Sequence, residues 1–146
     1  MQSSFFRKPH QVLWIAIPVI LAITLFSKAE TIDIQMHDNY LVITPFHMGL
    51  LFGGFLAFLG GIYWLLRHRK LLGGLTATHL ALTLAGVLLL AIRLSAPHFF
   101  APKSDDWQMV LASRREGFYI TLLAILGLGL AQILFFVNMG LSKKRA

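Results

Sequence analysis

From Leu41 to Leu66 the chain runs through about 25 mostly apolar residues with no Asp, Glu, Lys or Arg. At ~1.5 Å per residue that is enough to cross a hydrocarbon core of ~30 Å. A backbone in lipid must satisfy its own hydrogen bonds, so a single run of this length is read as a transmembrane helix. One histidine, His47, sits inside the run, and the polar, acidic stretch His37-Asp38-Asn39-Tyr40 leads into it.

Three further runs share this character: Val12 to Ser27, Thr76 to Ala96 and Gly117 to Gly140. The expectation is an all-α, integral membrane four-helix bundle forming one membrane domain, with helices over about 12–28, 41–66, 75–96 and 117–140. Pro18 is expected to bend the first helix. A secretory signal competes for that first run. Arg7-Lys8 would be its charged region, and Ser27-Lys28-Ala29 offers a small-x-small cleavage site. In the second run Gly49 and Gly53 form a small-residue packing face at helical spacing.

With 57% hydrophobic and 13% charged residues, the composition belongs to a membrane protein. Zero cysteines exclude covalent heme at C-x-x-C-H, a thiolate-bridged copper pair, disulfides and iron–sulfur clusters. The net charge of +7 does not indicate nucleic acid, because the basic residues stand at the ends of apolar runs. Arg7, Lys8, Arg67, Arg69, Lys70, Lys143, Lys144 and Arg145 fall in the N-terminus, the second connection and the C-tail. All 6 acids, Glu30, Asp33, Asp38, Asp105, Asp106 and Glu116, fall in the other two connections. The positive-inside rule then places both termini in the cytoplasm of a multi-pass protein of the cell inner (plasma) membrane.

Asp33, Ile34, His37, Asp38, Tyr40, Val42, Phe46, His47, Gly60, Gly61 and Trp64 stand at the spacings of a known pattern. That pattern reads S-[LI]-D-I-x-L-H-D-T-Y-[FY]-V-V-A-H-F-H-[YL], followed by a small-residue helix ending in G-G-[FI]-x-x-W. The stretch resembles subunit I of cytochrome c oxidase, of the heme-copper oxidase family. Thr78-His79-Leu80 with Gly86 is similar to a further helix of that family. The likeness covers about residues 12 to 142 against the last four of the family's twelve helices, and is most specific over 31–64. In the family, the first histidine of H-F-H binds the oxygen-reducing heme and the second binds the low-spin heme. Here Pro45 stands at the first position and His47 at the second.

The resemblance implies that His47 is an axial ligand of a b- or a-type low-spin heme. Read from its position alone, His47 is more simply a polar group that bonds to a neighbouring helix. It stands about six residues, or ~9 Å, inside its run, whereas His79 differs in depth by ~20 Å, so the two cannot share one iron. A second ligand would come from a homodimeric partner or another subunit, unless the site stays open. His37 and Asp38 resemble the family's outer-face magnesium site, and an ordinary capped helix start explains them as well. Arg93 is a candidate partner for a heme propionate, and snorkelling to the interface is its alternative.

No copper is expected, since the copper-bearing helices have no counterpart, and with Pro45 the chain alone is not expected to be an enzyme. The reading is a small membrane subunit associated with a respiratory chain, with other membrane or respiratory-complex subunits as partners. It would transfer electrons or stabilise a larger complex. The alternative is a cofactor-free interaction subunit that keeps an oxidase-like fold.

Overall fold

The structure is a computed structural model that describes residues 8–27, 31–36, 39–95 and 107–144. Four α-helices carry the fold: α1 (Pro9–Leu25), α2 (Pro45–Leu65), α3 (Gly73–Ser95) and α4 (Trp107–Leu141). Two short antiparallel ribbons accompany them, so the architecture is helical without being purely α. Strands β1 (Ile32–Met36) and β2 (Asn39–Ile43) pair in the register Ile32↔Ile43 to Met36↔Asn39. Strands β3 (Arg69–Lys70) and β4 (Lys143–Lys144) pair at the other end of α2.

Three segments, Pro45–His68, Gly73–Ser95 and Arg115–Leu141, are long and apolar enough to cross a membrane. Helix α1 is apolar but has 17 residues, about 26 Å, so it falls a little short of a full hydrocarbon core. Pro9 occupies its first turn, where a missing N–H is harmless, and Pro18 lies within it.

The start of α2 differs from the expectation at Leu41. Pro45 takes the first helical position, and Thr44 is the extended N-cap, with φ −81° and ψ 154°. A proline with its fixed φ opens a helix well but cannot continue one, so Leu41, Val42 and Ile43 belong to β2. Helix α4 begins well before the apolar run at Gly117. Trp107 to Glu116 contains no proline or glycine and extends the helix beyond its membrane-compatible part.

Helices α1 and α2 pack as one pair and α3 and α4 as another, and α1 against α3 joins the pairs. Leu13, Ile20, Leu56, Leu59, Tyr63, Leu80, Val87, Ala91 and Phe135 form the core. Close approach needs glycine at two seams. Gly60 lies against the Trp14 indole on α1, and a Cβ on Gly86 would stand 2.7 Å from Leu128 Cγ and 3.4 Å from the Ala124 carbonyl on α4. Gly49 and Gly53 face Thr24 and Ile17 of α1, so the small-residue face packs helix on helix.

Candidate functional site

His47 is the third residue of α2 and is exposed. Its position follows from the Thr44-Pro45 start, which places it in the first helical turn rather than deep in the span. The Thr44 hydroxyl serves it twice: the His47 backbone N–H donates to Oγ1 at 3.3 Å, and Oγ1 lies 2.6 Å from ring Nδ1. When Nδ1 carries the proton and donates it to Oγ1, Nε2 keeps its lone pair on the far side of the ring from Thr44. This is the arrangement of a metal-binding imidazole, whose other nitrogen is fixed by a neighbour. Phe46 flanks the ring with centroids 6.4 Å apart.

Among the described residues, no second histidine stands at this end of α2. His79 lies on α3 beside Tyr63, and Tyr63 stands 16 residues along α2 from His47, about 24 Å by helical rise. His10, at the start of α1, lies near Arg67, and His68 follows the far end of α2. Neither belongs to the His47 end of the helix. Arg93 sits in the last turn of α3, and its guanidinium occupies the place a Cβ would need at Gly117 of α4. The structure thus places Arg93 at the α3–α4 seam, where it has interactions of its own. His37 and Asp38 lie outside the described residues. Among the described residues no three His, Cys, Asp or Glu side chains are grouped to hold a metal ion.

A second polar site escaped the sequence reading. His79 is 0% exposed, and its Nδ1 lies 2.8 Å from the Tyr63 hydroxyl. Phe135 of α4 closes the group, its ring 5.2 Å from Tyr63 and 5.1 Å from His79. One turn toward the start of α3, the Asn138 amide donates to Thr76 Oγ1 at 2.8 Å and accepts the Leu72 N–H at 2.9 Å. Thr76 in turn donates to the Leu72 carbonyl at 3.1 Å. Asn138 thereby ties the end of α4 to the unsatisfied backbone at the start of α3.

On the same buried face of α3, His79 Nε2 and Thr83 Oγ1 have no hydrogen-bond partner among the described residues. Gln132 interacts electrostatically with His79, yet it does not reach hydrogen-bond geometry with Nε2, so we regard that nitrogen as unpartnered. Thr76, His79 and Thr83 follow one another at helical spacing, which was the available sequence signal. The Tyr63 and Asn138 partners came from other helices and carried no such mark. Chemically, the pair is a buried hydroxyl–imidazole contact through which α2 and α3 recognise each other.

Comparison of the chain with protein families, with curated proteins and with solved structures gives no match.

Proposed function

We propose that this chain is a small membrane subunit of a respiratory assembly and offers His47 as one axial ligand to a low-spin heme of b or a type. The observation that carries this reading is the His47–Thr44 pair. Its Nδ1 contact of 2.6 Å leaves Nε2 directed away from the cap, on an exposed residue at the end of an apolar helix. At the end of the apolar helix, Nε2 stays open to a partner from outside the helix, and a heme iron is one such partner. Heme, when bound, would supply one-electron transfer. His47 would hold and orient it, and Thr44 would fix the imidazole tautomer. The similarity of Phe46-His47 and the preceding Asp-Ile and His-Asp residues to oxidase subunit I supports the same assignment.

A second ligand would come from a different respiratory subunit or a second copy, or the coordination site stays open. Pro45 leaves no high-spin ligand beside His47, so the chain acts in electron transfer or in stabilising the complex, not in oxygen reduction by itself. His37 and Asp38 are assigned to a magnesium site and Arg93 to a propionate contact on the resemblance alone. The charge distribution supports a multi-pass protein of the inner (plasma) membrane with both termini cytoplasmic.

The test is an absorption spectrum of protein purified from its native membrane in mild detergent, oxidised and reduced. Sharp low-spin bands that disappear in His47→Ala support the assignment. Bands that survive His47→Ala refute the ligand, and a wild-type protein without bands leaves the cofactor-free interaction subunit as the reading.

A further inference from the structure

The β3–β4 ribbon brings four cationic residues into register. Arg69 stands opposite Lys144, and Lys70 opposite Lys143. Directly opposite residues in an antiparallel pair have Cβ atoms about 5 Å apart, and like charges there are destabilising. Against that repulsion the ribbon has few ladder bonds of its own, plus Arg69 Nη1 donating to Ser142 Oγ at 3.4 Å.

Other segments add to the same charge. Arg67 and His68 lead directly into β3 and are exposed, as are Arg69 and Lys70. The Arg67 guanidinium lies 4.7 Å above the Trp64 ring, and both Arg67 and Lys8 act electrostatically on His10 at the start of α1. No acid occurs within residues 1–29, 39–104 or 117–146. Three separate parts of the chain therefore converge with a single sign of charge. An arrangement of this kind is relieved by a shared anion.

The ribbon also has a defined level. It lies between the end of α2 and the start of α3, two apolar helices of membrane length. Trp64, at 42% exposure, is the kind of aromatic residue that marks a membrane–water interface. Leu65 and Leu72, both exposed, flank the basic turn on its two sides. A soluble anion has no use for that apolar flank, whereas a lipid supplies a phosphate at this level and acyl chains beside it.

We infer that the β3–β4 ribbon, with Arg67, binds the phosphate of an anionic phospholipid headgroup at the membrane surface. The ion neutralises the opposed cations and holds the C-terminal strand against the α2–α3 turn. This site is independent of any heme at His47, which lies at the other end of α2.

Native mass spectrometry of the full-length protein in mixed micelles tests this, with phosphatidylglycerol and phosphatidylcholine supplied in equal amounts. Wild-type protein is expected to retain phosphatidylglycerol selectively. Arg69→Gln or Lys143→Gln should each weaken retention about fivefold, whereas Arg69→Lys should retain it. Raising sodium chloride from about 0.05 to about 0.5 M should also release the lipid from wild-type protein, a readout that needs no variant. Equal retention of both lipids overturns the inference, as does retention that neither salt nor neutralisation reduces. If inorganic phosphate in the millimolar range displaces the lipid and itself binds as tightly, the ligand is a free anion, and the headgroup assignment fails.

Discussion

The Tyr63 hydroxyl lies 2.8 Å from Nδ1 of His79, at a place where both side chains are buried. Helices α2 and α3 otherwise make limited contact, so this bond contributes to their relative rotation. Whichever group donates, the contact satisfies one nitrogen of an imidazole that no solvent reaches.

Removing one partner should therefore cost more than removing both. Tyr63→Phe keeps the ring contacts with Phe135 but leaves Nδ1 unpaired, and we expect a loss of about 0.6 and at most about 1.7 kcal/mol. In a His79→Phe background the same change should be close to neutral, because no buried nitrogen is then orphaned. Reversible unfolding in mixed micelles of the four proteins in this cycle measures the coupling. Equal costs in both backgrounds would mean that the pair is not coupled.

The glycines make a second prediction by contrast. At Gly86 a Cβ would stand 2.7 Å from Leu128 Cγ with the Ala124 backbone carbonyl behind it, whereas at Gly54 nothing lies within 4 Å. Gly86→Ala should push α3 from α4 and destabilise the fold by about 1–3 kcal/mol, as overpacking does. Gly54→Ala should be neutral or slightly stabilising, since alanine is the better helix former by about 1 kcal/mol. Thermal denaturation of both variants distinguishes them, and a well-tolerated Gly86→Ala would contradict the α3–α4 seam.

How much of this was readable beforehand depended on what each signal encodes. The existence of four helices follows from the apolar runs, because lipid leaves a lone apolar segment no other backbone solution. Their ends follow less well. Leu41 to Ile43 are as apolar as the helix that comes after them, and only Thr44-Pro45 marks the boundary; the alternation Ile32, Ile34, Met36 was the corresponding sign of a strand. Trp107 to Glu116 is polar yet helical, since hydropathy reports the membrane and not the backbone. The Tyr63–His79 pair was hidden for a different reason. Helix α2 is apolar on all sides, so no stripe tells which face turns inward. His47 was readable as a residue of interest, but its Thr44 partner became evident only with the cap in place.

The charge distribution predicts an orientation, and labelling can establish it. If both termini are cytoplasmic, the connection containing Asp105 and Asp106 would lie outside. A cysteine introduced at Ser104, in a chain with no other cysteine, should react with a membrane-impermeant maleimide in intact cells. Reaction only after the membrane is opened would invert the topology and with it the side on which His47 lies.

The last prediction separates a histidine that binds a heme from one that merely bonds to the helix cap. Thr44 Oγ1 accepts the His47 N–H at 3.3 Å and lies 2.6 Å from its Nδ1, so one oxygen supports both the helix start and the imidazole. Thr44→Val removes both bonds and keeps the side-chain shape. As a lost N-cap it should cost about 1 kcal/mol in stability whether or not heme is present. As a lost outer partner of a ligand it should also lower heme affinity about 10–100-fold, because the imidazole then loses its fixed tautomer and some basicity. Thr44→Ser restores the hydroxyl and should recover both properties. His47→Ala keeps the Thr44 cap available to the backbone, so it should abolish the low-spin spectrum with little change in unfolding. His79→Ala should do the reverse, weakening the bundle while leaving the spectrum in place. Titration of the reduced spectrum with added heme, run beside thermal unfolding for these four variants, resolves the two effects. A Thr44→Val protein that loses stability but binds heme as tightly as wild type would show that the hydroxyl serves the helix alone.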